Sequence, residues 1–165
     1  MINRVDKQEF VLSQITDIFG QRDFSGYDLA GIDLKELDLT GVNFTGADLG
    51  NANLSKAILT NAKLDKANLA QANLREAHMH EVSLIEANLS DTDLTRASLC
   101  GAMCSGADFS DSNLQEASLC DTDLQKANLS KSQLIEASLI EANLFQANLQ
   151  QARLSGANLL EANLI

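Results

Sequence analysis

The sequence predicts an all-β solenoid, a chain wound into a solid coil of short extended segments and corners, with a short α-helix over its N-terminal end. Three observations carry this. Every fifth residue from Phe24 onward is large and apolar, a smaller residue stands two places before nearly every one of them, and the stretch ahead of Phe24 follows a helical pattern instead.

The fivefold pattern holds through 29 consecutive positions from Phe24 to Leu164, of which 24 are Leu. Phe24, Phe44, Phe109, Met79 and Cys104 are the others. The position two before is Ala in 19 of the 29, and the position between is Asn or Asp in 19. An α-helix would spread residues at this period around its whole circumference, and a straight strand would send them alternately to opposite faces. Within one repeat, however, the Ala and the Leu are two apart and share a face in an extended segment, while Asn/Asp and the residue after Leu point outward. The remaining residue must turn the chain. Gly26, Gly31, Gly41, Gly46, Gly101, Gly106 and Gly156 fall at that corner, as do Asn51, Asn61, Asp91, Asp111 and Asp121, all turn-forming types. Ala and Leu then fill a narrow interior that leaves no ligand channel.

Terminal coils of a solenoid expose their core and need covering. From Asn3 to Phe19, the residues Val5, Leu12, Ile15, Ile18 and Phe19 share one helical face, with Asn3 as N-cap and Gly20 at the C-terminal turn, as expected of a helix. The expected organisation is therefore a capping helix at 1–21 and a repeat domain at 22–165. The opposite end carries no such helix: the sequence runs out at Ile165 within a repeat, so the last coil is expected to be bare.

The repeat written as Ala47-Asp48-Leu49, Ala67-Asn68-Leu69 and Ala157-Asn158-Leu159 resembles the pentapeptide-repeat family across residues 22–165. The resemblance implies a right-handed quadrilateral β-helix, with four repeats per coil and about seven coils, a rod roughly 35 Å long at the usual spacing between strands. It also implies an interaction or scaffold protein with no catalytic activity, the partner being a protein the sequence does not name.

With four repeats per coil, residues twenty apart stack in columns. Thr60, His80, Cys100, Cys120, Ile140 and Leu160 share one column, and Phe145 and Ile165 lie on the adjoining side. Ile140, Phe145, Leu160 and Ile165 are thus a candidate apolar interface, and exposed patches of this kind mark association surfaces, here for a homodimer through the C-terminal coils. Glu81, Asp121, Glu141 and Glu161 stack at the corner beside that column with no basic member, a candidate acidic recognition stripe. Glu36, Lys56, Glu76, Arg96, Glu116 and Glu136 form another corner column of mostly alternating sign.

A net charge of −11 repels nucleic acid and anionic membranes and suits a basic protein partner. No signal-like segment opens the chain and no long apolar run crosses it, so a cytoplasmic location is expected. Three cysteines, an odd number, fit a reducing compartment. The cluster His78-Met79-His80-Glu81 with Cys100 above it supplies no fourth ligand. No metal, cofactor or catalytic group is therefore assigned. Strand spacing also sets Cys100 and Cys120 wider apart than a disulfide prefers.

Some members of the resembled family imitate duplex DNA in shape and charge and modulate DNA gyrase. The acidic balance is compatible with this alternative. Against it stand the dominance of Leu over Phe, the absence of any insertion in the repeat, and Lys56, Lys66, Lys126 and Lys131 at the corners.

Overall fold

The computed structural model describes residues 22–164 together with Glu9, Val11 and Ser13. Every β-bridge among the described residues joins a residue in parallel to the one twenty places on, from Asp23 with Asn43 to Asn143 with Asn163. Four five-residue repeats therefore close one turn of a β-helix, and its four sides are numbered here by their leading residue: first Phe24, second Leu29, third Leu34, fourth Leu39.

One repeat shows why the chain follows this path, because each of its five backbone N–H groups finds a partner. Leu49 donates to Asn68 O at 2.7 Å and Asn51 to Ala70 O at 2.9 Å, on the following rung, while Asn53 donates back to Ile32 O at 2.8 Å. Ala52 closes the corner on Leu49 O at 3.0 Å. The fifth donor, Gly50, is taken by the Asp48 side chain, whose Oδ1 lies 3.0 Å away. That side chain bends back onto its own backbone in the manner of an Asx turn. Its carboxamide counterparts also tie rungs together: Asn68 Nδ2 donates to Asp48 Oδ1 at 2.8 Å, and Asn88 Nδ2 to Asn68 Oδ1 at 3.1 Å. The Asn/Asp position, expected to point outward, is thus half-buried framework.

The corner residue is the third of each Leu-to-Ala turn, and there φ is positive at every position from Gly26 to Glu161. A positive φ at this place is the requirement of a type II turn. Glycine and Asn/Asp were the expected occupants, yet Glu, Lys, Gln and Arg adopt the same conformation, with φ between 54° and 61° among the non-glycine corners. Left-handed backbone costs such residues about 1–2 kcal/mol each. Burying the adjacent Leu contributes about 1.5–3 kcal/mol, so the inward residue outweighs the corner and lets its identity vary.

The interior is continuous and dry. The fivefold apolar positions from Phe24 to Leu144 are at most 2% exposed, Cys104 and Met79 included. Where a hydroxyl replaces the inward Ala it is satisfied: Thr92 Oγ1 donates to Leu69 O, Ser112 Oγ to Phe109 O, Thr122 Oγ1 to Leu99 O and Ser132 Oγ to Leu129 O. At the N-terminal end Phe24 stacks on Phe44 with ring centroids 5.6 Å apart, and Tyr27 meets Phe24 edge-on. Glu9, Val11 and Ser13 are helical, and Val11 is fully buried in the same cluster. The sequence had not placed Val11 on the buried face. The residues it did place there, Val5, Leu12, Ile15, Ile18 and Phe19, lie outside the described residues, as do Asn3 and Gly20.

Gly41 isolates the corner term, since a Cβ added there meets nothing within 4 Å while φ is +68°. Gly41→Ala is expected to lower unfolding free energy by about 1–2 kcal/mol, and Leu89→Ala by about 2–5 kcal/mol, both read from denaturant midpoints. Equal stability of Gly41→Ala and wild type would refute the account of the corners.

Candidate functional site

Because the Asn/Asp residue is framework, a side that lacks it is free to carry something else. The second side keeps it on seven successive rungs, from Asp28 through Asn148. The fourth side gives it up on five, where Ile58, His78, Ser98, Ser118 and Ser138 follow one another. The outward residues beyond them, Thr60, His80, Cys100, Cys120 and Ile140, then lack the Asx acceptor that their counterparts on the second side use. Asn158 restores it, accepting from Leu160 N–H at 3.1 Å.

A polar row fills this gap. His80 Nε2 lies 3.1 Å from Ser98 Oγ, Cys100 Sγ 3.0 Å from Ser118 Oγ, and Cys120 Sγ 3.2 Å from Ser138 Oγ. His78 is exposed and stands apart from Cys100's contacts. Among the described residues no group of three or more His, Cys, Asp or Glu side chains is arranged to hold a metal ion. All three cysteines are free thiols; Cys104 sits in the core, where burial pushes its thiol well up.

The acidic stripe occupies the corner after this side. Glu81, Asp121, Glu141 and Glu161 are exposed in one column, with Gly101 interposed between the first two. None of the four makes an ion pair among the described residues. Other corner columns contain ion pairs: Arg96 Nε holds Glu116 Oε2 at 2.8 Å, Lys66 meets Glu86 at 3.6 Å, Lys131 meets Asp111 at 3.8 Å and Lys56 meets Glu76 at 3.9 Å. The column from Glu36 to Glu136 alternates on paper but resolves into the two pairs Lys56–Glu76 and Arg96–Glu116. Their exposure makes each a weak contributor to stability.

Apolar groups lie on either flank of the stripe. Leu160, 60% exposed, and the half-buried Ile140 stack on the fourth side, and Phe145, 37% exposed, stands on the first side across the Glu141 corner. Ile165 lies outside the described residues. The sequence reading missed Leu164, a core-position residue that is 52% exposed, and Met103 and Ile85 on the first side, 47% and 37% exposed. Met103 was legible, since it stands where the repeat normally has Asn or Asp.

The family profile described as Pentapeptide repeats matches in eight copies, over residues 23–61, 62–101, 77–115, 102–139 and 137–165. The chain belongs to the pentapeptide-repeat family. Its β-helix is similar to that of HetL, a pentapeptide repeat protein involved in heterocyst differentiation regulation in the cyanobacterium Nostoc sp. strain PCC 7120. The two are 34% identical over 86% of this chain and 73% of HetL, with a TM-score of 0.54. A pentapeptide repeat protein of the Arabidopsis thaliana thylakoid lumen is 38% identical over 55% of this chain and 63% of its own, also with a TM-score of 0.54. A comparison with curated protein sequences finds no match. As a pentapeptide-repeat chain, the protein carries its individuality in the outward columns, since the inward ones are set by the fold. Among the described residues no helix is long and apolar enough to cross a membrane.

The hydrogen bond from Arg96 holds the Glu116 carboxyl below the usual glutamate range. A carboxyl depressed in the folded state stabilises above its unfolded pKa, and that contribution is lost as pH falls through the folded value. Melting temperature should therefore drop between about pH 5 and pH 2, and Glu116→Gln should flatten part of that drop. Superimposable pH profiles of the two proteins would remove the Arg96–Glu116 pair from the account.

Proposed function

We propose that this pentapeptide-repeat chain is a non-catalytic binding rod that recognises a protein partner through the corner stripe Glu81, Asp121, Glu141 and Glu161, and that pairs with a second copy through Ile140, Phe145, Leu160 and Ile165. The observation that carries the reading is the unpaired stripe: four exposed carboxylates in register beside exposed Leu160, on a molecule whose other acidic corners are largely matched by Lys or Arg. Unpaired, aligned charge steers a partner of opposite sign and fixes its register. The apolar groups beside it supply the contact area of the pairing with a second copy. Similarity to HetL, a protein involved in regulation, supports an interaction role. The solid interior supports a non-catalytic one, since catalysis needs a concave site with convergent groups.

The stripe is tested by the triple variant Asp121→Lys, Glu141→Lys, Glu161→Lys against an equal charge change on other columns, Glu36→Lys, Asp91→Lys, Glu136→Lys. Cross-linked complexes recovered with wild type should survive the second set and vanish with the first. Identical complexes from both would sink the stripe. Self-association is tested by light scattering: wild type is expected at twice the mass of Phe145→Asp, and two monomers would refute the interface.

Modulation of DNA gyrase is the rival reading. Corner lysines that neutralise neighbouring acids interrupt any phosphate-like run, so purified protein is expected to leave gyrase supercoiling unchanged. Inhibition abolished by the stripe variant would make gyrase the partner.

A further inference from the structure

The fourth side holds a second arrangement that the recognition stripe does not use. Cys100 and Cys120 stand in one column on adjacent rungs, tied by the Gly101 N–H to Cys120 O hydrogen bond of 3.0 Å. Both are free and half-buried, and both sulfurs touch one hydroxyl: Ser118 Oγ lies 3.0 Å from Cys100 Sγ and 3.6 Å from Cys120 Sγ. Ser138 Oγ approaches Cys120 Sγ from the next rung at 3.2 Å. This rung has no Asx acceptor, since Ser138 stands where the repeat normally has Asn or Asp. Two free thiols thus stand on neighbouring rungs with a shared serine hydroxyl between them.

We infer that Cys100 and Cys120 form a two-coordinate site for a soft monovalent cation of the copper(I) class, held between adjacent rungs as a bis-thiolate. Rung spacing makes the selection. Stacked strands are about 4.8 Å apart, whereas a disulfide wants its Cβ atoms near about 3.8 Å and its sulfurs near about 2.05 Å. At a metal–thiolate length like the about 2.3 Å of zinc, a metal held linearly between two sulfurs spans about 4.6 Å, close to the spacing of the rungs. Soft thiolates select copper(I) over hard cations. Zinc asks for four ligands, and the described residues gather no group of three. His80, one rung earlier in the column, is engaged with Ser98 at 3.1 Å.

Asp121 follows Cys120 directly and Glu81 follows His80, so the acidic corner runs alongside the site. The acidic corner raises the local concentration of cations but works against the net negative charge of the bis-thiolate, so the selection rests on the two sulfurs and not on charge. Burial works to raise the Cys120 thiol, but the hydroxyls of Ser138 and Ser118, with Cys100 and the Ile140 amide, bring it below its ordinary value. On binding, each thiol releases its proton to solvent and two sulfur–copper bonds form. Copper keeps its oxidation state and no electron is transferred.

The probe is copper(I) presented anaerobically as its bicinchoninate complex, with loss of the chelate's colour and native mass spectrometry as readouts. Wild type is expected to take one copper per chain, with a rise in melting temperature because only the folded rod aligns the two sulfurs. Cys100→Ser and Cys120→Ser should each weaken uptake by at least about 100-fold, the upper end of what even outer-shell losses cost a metal site. Cys104→Ala should leave uptake unchanged. Cys120→Thr, which copies Thr60 of the same column, guards against a serine variant that fails to fold. No uptake by wild type, or undiminished uptake by folded Cys100 and Cys120 variants, overturns the proposal.

Discussion

The rod depends on one constraint: five backbone N–H groups per repeat must each find an acceptor while a Leu stays inside. Rungs above and below take three and the corner takes one, which leaves a single donor facing outward. An Asp or Asn two residues back is the shortest side chain that can reach it, as Asp48 does for Gly50 and Asn53 for Ser55. The three-residue core of the motif is therefore one unit of bonding. Ala leaves room, Leu fills the interior, and Asn/Asp closes the last donor. An unpaired backbone donor that is buried costs about as much as a lost hydrogen bond, so the Asn/Asp can be relinquished only where solvent or another side chain reaches the freed amide.

That condition explains why the fourth side differs from the second. The first six of the seven unbroken Asx rungs present a low surface of Ala, Gly and Ser beyond them, at Ala30, Gly50, Ala70, Ser90, Ser110 and Ser130, and the last carries Gln150. There is little room to change it: a Cβ on Gly50 would stand 3.1 Å from Asp48 Oδ1 and 3.2 Å from Asn68 Nδ2. On the fourth side the ladder lapses from Ile58 to Ser138, and longer or reactive groups enter at His78, His80, Cys100 and Cys120. The lapse leaves serine hydroxyls in place of the Asx acceptors, and those of Ser118 and Ser138 reach the two sulfurs.

Much of this was legible in the sequence because the period of five admits so few geometries. The inward and corner positions followed from it, while the columns of residues twenty apart followed from the resemblance to pentapeptide-repeat proteins, which implies four repeats per coil. The role of Asn/Asp did not, since its alternation with Leu assigns it to the outside and says nothing of its bending back; the clue was its short length, shared with known turn-capping residues. Lysine and glutamate were placed at corners by the period, but their left-handed backbone there was not legible, because local preference alone disfavours it. For the surface, stacking identified which side chains share a column but not how they pair, and the alternating Glu36-to-Glu136 column resolved into separate couples.

That pairing follows from the lattice itself. In a column each side chain has two equidistant neighbours, so a cation between two acids must choose, and Arg96, committed to Glu116 through its guanidinium, leaves Glu76 to Lys56. A column with cations at intervals is thereby divided into closed pairs that present little net field. A column without them, like that of Asp121, Glu141 and Glu161, keeps its charges additive along the rod, and their mutual repulsion in the folded state is relieved only by an external cation or basic surface. The same lattice acts at Cys100 and Cys120, which it holds on adjacent rungs as free thiols, a spacing that suits a bridging ion. Function in this fold is therefore written in what a column omits as much as in what it contains.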